Sequence, residues 1–155
     1  MVINMKKKVI IISVLAVAII AISLLVYASI KLNGQAKEED SHLIEISFSE
    51  LQEKIDNKET FIFVITQKQC SHCAEYKPVL KKVLAEYDIY AYELSLDNLD
   101  AEKKGKLNDI ANVSGTPATI FIEDGVEKNT SSRLSGTKTE SKIVSRLKAM
   151  GYIEE

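Results

Sequence analysis

Residues 60–66 read TFIFVIT. A near-continuous β-branched and aromatic run of this kind, with no polar side, is what a strand covered on both faces requires. Such a strand sits in the middle of a sheet with helices above and below it. The run leads directly into QKQCSHC, which holds the only two cysteines of the chain, Cys70 and Cys73.

The surrounding segments alternate to match. HLIEIS, residues 42–47, predicts a short strand, and Ser47 with Glu50 forms a capping box for a helix reaching about Asn57. A second helix starts at the cysteines and runs to about Tyr87. IYAYELSL, residues 89–96, predicts the next strand. Asp97–Ala111 predicts a helix with Leu99, Leu107, Ile110 and Ala111 inward. ATIFIE, residues 118–123, predicts a strand, and Asp124-Gly125 is a hairpin signal after which a strand returns through Arg133 and Leu134. Thr137 and Glu140 form a second capping box, opening a last helix with Ile143, Val144 and Leu147 inward. The order βαβαβαββα gives one α/β domain over residues 43–155, a mixed sheet with helices on both faces.

The amino-terminal part is of another kind. Residues 1–8 are basic through Lys6, Lys7 and Lys8, and residues 9–30 carry no charge at all. Twenty-two helical residues reach about 33 Å, enough for a hydrocarbon layer of ~30 Å. The lysines keep the short first segment in the cytoplasm and send the rest across. A signal peptide cleaved near VYAS is the alternative, but signal cores are usually shorter, about 7–15 apolar residues. Residues 31–42 read as a polar linker that includes His42. Beyond residue 30 the formal charge is −5, without a basic patch, which argues against a nucleic-acid partner.

A C-x-x-C pair at a helix start places two sulfurs within one turn. The N–H groups and dipole of that terminus favour a thiolate at Cys70, the exposed nucleophile, with Cys73 one turn inside as the resolving thiol. An imidazolium at His72, and Lys68 if turned inward, would add to the same effect, and stabilising the reduced form makes the disulfide a stronger oxidant. A structural disulfide closing so small a loop constrains little chain entropy. A zinc site would need four ligands from Cys70, Cys73, His42 and His72, an awkward set with His72 between the cysteines. No metal site is expected, and the redox-active Cys70–Cys73 pair stands in place of a cofactor.

From Leu43 to Tyr152 the chain resembles the thioredoxin superfamily. The resemblance rests on CSHC after a buried strand, on Pro78 five residues beyond Cys73, on SGTPATIFI with Thr116-Pro117 just before a strand, and on the Asp124-Gly125 hairpin followed by Ser135-Gly136. It implies a three-layer thioredoxin-like fold in which Pro117 is cis and lies against the Cys70 sulfur, with the Thr116 main chain pairing with an extended substrate segment. Two positions depart from the family. Gln69 stands where a tryptophan is common, and Val64 where a buried acid is usual. Glu93, in the middle of the next strand on the side of Ile89, Ala91 and Ser95, is the candidate replacement. A buried carboxyl there, with its pKa raised, would accept the Cys73 proton.

The short anchor with a bare domain is similar to Gram-positive extracytoplasmic proteins, including the bacteriocin transport accessory group. It implies a single-pass membrane protein that exchanges disulfides with exported proteins or peptides. No further cysteine is available for an internal relay, so a membrane redox partner would reset the thiols. The alternative is a non-enzymatic, peptide-binding accessory module for export.

Overall fold

The computed structural model describes residues 41–154. The expected anchor at 9–30, the basic segment 1–8 and linker residues 31–40 lie outside the described residues. Among the described residues no helix is long and apolar enough to cross a membrane.

The first strand, β1 (Leu43–Glu45), is followed by α1 (Phe48–Asp56), β2 (Phe61–Thr66), α2 (Ser71–Glu86) and β3 (Ala91–Ser95). A 3₁₀ turn (Leu96–Asn98) leads into α3 (Ala101–Ile110) and then β4 (Ala118–Glu123). The chain ends with β5 (Val126–Glu127), a second 3₁₀ turn (Thr130–Ser132), β6 (Leu134–Ser135) and α4 (Glu140–Ala149). The sheet order is β1-β3-β2-β4-β5, with β6 also on β4. β3 runs parallel to both β1 and β2, and β4 is antiparallel to β2. All six residues of β2 are buried, as its composition requires.

Alternation along β2 divides the core. Ile62 and Val64 pack with Tyr76, Leu80, Val83 and Leu84 of α2 and with Ile143 and Leu147 of α4. Phe61, Phe63 and Ile65 pack on the opposite face with Phe48 and Leu51 of α1 and Leu107 of α3. The parallel ends of β2 and β3 therefore emerge beneath the start of α2, the end of an α/β sheet at which sites form.

Ser47 and Glu50 cap α1 reciprocally, as the sequence predicts. Four boundaries differ from expectation, each because a polar group took a specific partner. The helix expected from Asp97 starts at Ala101, because the Asp100 carboxylate takes the Lys103 N–H at 2.8 Å and becomes the cap. The single return strand is split into β5 and β6, with Asn129 capping the turn between them. The capping box at Thr137 and Glu140 does not form: the Thr137 hydroxyl is directed at His72, and α4 begins after Thr139. His42 belongs to the domain and not to the linker. Its carbonyl accepts the Ala91 N–H at 2.8 Å, and its ring stacks on Tyr90 and meets Asp88 at 3.1 Å.

Candidate active site

The chain leaves β2 at Thr66 and enters α2 at Ser71, so residues 67–70 form a short shoulder above the sheet. Asp97 secures that shoulder. Its carboxylate accepts the Lys68 N–H at 2.6 Å and the Ser95 hydroxyl at 3.1 Å. The first of these, assisted by the second, holds the carboxyl below the usual aspartate range.

Cys70 is the N-cap of α2, and its Sγ accepts the Cys73 N–H at 3.0 Å. Cys70 and Cys73 form a disulfide with their Cα atoms 5.2 Å apart. Cys70 is half-buried, whereas Cys73 is 3% exposed. The sulfur that a partner reaches is thus the one at the helix end, where orphan N–H groups favour negative charge.

The loop before β4 supplies the opposite wall. Its Thr116–Pro117 peptide is cis. The Thr116 hydroxyl donates to Cys70 Sγ at 3.4 Å, and the Thr116 carbonyl oxygen lies 3.5 Å from the same sulfur. Pro117 is buried, and its carbonyl accepts the Gly136 N–H at 2.8 Å. The carboxyl end of the loop is therefore tied to β6, while Asn112, at its start, gives its carbonyl to the Arg133 guanidinium at 2.5 Å. Arg133 is itself held by a two-pronged contact with Glu127.

His72 is placed differently from the expectation of an imidazolium beside Cys70. Its ring is exposed at the rim, with Nδ1 3.3 Å from the Thr137 hydroxyl and 3.9 Å from a Glu75 carboxylate oxygen. Glu93 is buried, 8% exposed, on the face of β3 beneath α2. Its Oε1 accepts the Thr66 hydroxyl at 2.7 Å and lies 2.7 Å from the Lys77 ammonium. Both cysteines line a cleft of about 310 Å³ together with Thr66, Lys68, Lys77 and Glu93.

The sequence therefore brings Cys70, Cys73, Thr116 and Pro117 together and puts Glu93 into the same cleft, while His72 turns to the rim. It left Lys77, Thr66 and Asp97 unnoticed. Lys77 carried a usable signal, since four residues beyond Cys73 it shares that cysteine's helix face. Among the described residues no group of three or more His, Cys, Asp or Glu side chains is arranged to hold a metal ion.

A family model described as Thioredoxin matches residues 42–149. Solved structures share the fold. Thioredoxin O2 from Arabidopsis thaliana in its oxidized state is 22% identical, with a TM-score of 0.56, 76% of this chain covered and 100% of that one. Thioredoxin NaTrxh from Nicotiana alata is 19% identical at a TM-score of 0.56, covering 72% of this chain and 95% of its own. A thioredoxin from Aeropyrum pernix is 20% identical at 0.53, with 68% and 84% covered. No curated protein matches the chain.

Proposed function

The chain belongs to the thioredoxin family, and on that premise we propose that it is an extracytoplasmic thiol–disulfide oxidoreductase acting on exported proteins or peptides. The observation that carries the reading is the pair of donors on one accessible sulfur, the Cys73 N–H at 3.0 Å and the Thr116 hydroxyl at 3.4 Å. Both lower the energy of a Cys70 thiolate.

In the reductive direction the Cys70 thiolate attacks a substrate disulfide, forming a mixed disulfide and releasing one substrate thiolate. Cys73 then loses its proton and attacks Cys70 Sγ, releasing the second thiolate and closing the Cys70–Cys73 disulfide. Two electrons pass to the substrate, and run backwards the same steps oxidise a dithiol. Pro117 and the Thr116 main chain form the wall against which an extended substrate segment lies. His72 adds positive charge at the rim when protonated, and Glu93 is the carboxylate available to the Cys73 proton.

Stabilising the Cys70 thiolate raises the potential and moves the pair toward oxidant. The uncharged run at 9–30 supports tethering to the membrane, with residues 1–8 in the cytoplasm and the domain outside, as in the Gram-positive accessory proteins it resembles. A membrane redox partner then resets the pair.

The test is turnover of insulin disulfides by the full chain in detergent, with Cys70→Ser as control. Turnover lost with Cys70 supports the reading. Binding of an exported peptide that persists in Cys70→Ser, with no turnover in the native chain, would favour a peptide-binding accessory role.

A further inference from the structure

The loop that carries Thr116 and Pro117 has little of its own to fix it. The helix before it, α3, buries one side chain, Leu107. Val113 is only partly buried, and a Cβ added at Gly115 would meet nothing within 4 Å. Among the described residues, no backbone hydrogen bond outside the regular elements reaches residues 113–116. Yet the Thr116 hydroxyl must stay near its 3.4 Å from Cys70 Sγ to act as a donor. Its position therefore depends on what grips the two ends of the loop.

One short segment, residues 133–136, grips both. At the carboxyl end the Gly136 N–H donates to the Pro117 carbonyl at 2.8 Å, and β6 pairs with Ala118 and Thr119 of β4. At the amino end Arg133 Nη1 donates to the Asn112 carbonyl at 2.5 Å. The other two guanidinium nitrogens, Nε and Nη2, donate to the two carboxylate oxygens of Glu127 at 2.5 and 2.6 Å. Glu127 lies on β5 opposite Ile122 of β4, which fixes the fork to the sheet. The Arg133 and Glu127 side chains are only 14% and 10% exposed. A two-pronged contact between planar groups sets direction as well as distance. The remaining donor of Arg133 is thus aimed at one place.

We propose that Arg133, oriented by Glu127, is a positioning residue for the reactive sulfur: by holding the Asn112 end of the loop it keeps the Thr116 hydroxyl on Cys70 Sγ and so favours the thiolate. This deepens the oxidoreductase reading above and rests on it. None of the three Arg133 hydrogen bonds goes to a cysteine. Its effect on the sulfur passes through the loop, since the Glu127 carboxylate largely cancels its charge at a distance. The other donor to Cys70 Sγ, the Cys73 N–H at 3.0 Å, belongs to α2 and is independent of the loop. Losing Arg133 therefore costs the thiolate no more than losing the Thr116 hydroxyl.

The rate at which iodoacetamide alkylates Cys70 in the reduced full chain, followed against pH, reads the thiolate, because the thiolate is the nucleophile. Arg133→Met should move the midpoint upward and lower the rate on the acid side by about 3- to 10-fold, tenfold being one pH unit. The shift should not exceed that of Thr116→Val. Adding Arg133→Met to Thr116→Val should move the midpoint up no further, because two changes that act through one contact do not add. A role in fold stability alone would lower the melting temperature and leave the midpoint in place. A lost positive charge acting through space would shift the midpoint equally in both backgrounds.

Arg133→Met leaves the Glu127 carboxylate buried without its cation, which destabilises the fold. Should that variant not fold, Arg133→Met combined with Glu127→Leu carries the same test, since removing both charges strands neither. A native midpoint in the folded variant would overturn the proposal. So would equal shifts with and without the Thr116 hydroxyl. Either result leaves the oxidoreductase reading standing as long as insulin turnover depends on Cys70. Turnover independent of Cys70 would overturn that reading and this proposal with it.

Discussion

Replacing Thr116 by valine removes one donor from the Cys70 sulfur and nothing else of similar size. The hydroxyl lies 3.4 Å from Sγ, and the backbone carbonyl at 3.5 Å stays in place. Hydrogen bonds to charged groups contribute about 1.5–3 kcal/mol. The long distance and half-exposed sulfur put this one at the lower end, about 1.5 kcal/mol. The neutral disulfide gains much less from the same donor, so nearly all of the loss falls on the thiolate form. At about 1.36 kcal/mol per pH unit, the thiolate absorbance curve of Cys70 moves up by about one unit. At ~30 mV per 1.4 kcal/mol, the Cys70–Cys73 potential near neutral pH falls by about 30 mV. Ultraviolet titration of the reduced chain reads the first quantity, and equilibration with a glutathione buffer reads the second. Thr116→Ser should stay close to native in both. A valine variant with native titration and potential would refute the assignment of this hydroxyl as a thiolate donor.

Two further outcomes concern the scaffold. At Gly125, with φ of +78°, an added Cβ would stand 2.4 Å from the Ile55 carbonyl oxygen, while at Gly105, inside α3, it would meet nothing within 4 Å. Denaturant melts should therefore show Gly125→Ala losing more than about 1 kcal/mol and Gly105→Ala gaining about 0.5–1 kcal/mol. Burial raises the Tyr76 phenol to about 12, the Thr119 hydroxyl at 2.8 Å opposing the shift only in part. Its unfolded counterpart ionises near 10. The folded state thus holds the proton longer, and this part of the stability is complete below pH 10 and is lost as pH rises toward 12. A shift of about two units corresponds to roughly 2–3 kcal/mol, and Tyr76→Phe should flatten that alkaline loss in melts taken at successive pH values.

Elements with strong one-dimensional signals were legible in the sequence. The apolar run of β2, the cysteines at the start of α2 and the Ser47–Glu50 box each depend on neighbours a few residues away. Their placement follows from local chemistry. The misplaced boundaries have two causes: Asp100 and Asn129 cap backbone N–H groups two or three residues on, whereas Thr137 and His42 found partners distant in sequence. Thr137 turned to His72, 65 residues away, so the helix it was expected to cap begins two residues later.

The same holds for the site. Cys70, Cys73 and the Thr116-Pro117 step stand out as motifs. The Lys77–Glu93 pair depends on how α2 lies across β3, which no short stretch of sequence encodes. Val64 had signalled that the usual buried acid was missing, and Glu93 that a carboxyl lay one strand over. The cation that completes the cluster came from the layer above.

The central claim is that Cys70 is the sulfur that foreign disulfides meet. Incubating the full-length Cys73→Ser variant with a disulfide-containing peptide, then mapping adducts by mass spectrometry, tests it most directly. The account predicts one peptide per chain, held by a mixed disulfide on Cys70 and released by reductant. Peptide-disulfide exchange by the native chain with no adduct at Cys70 would contradict it.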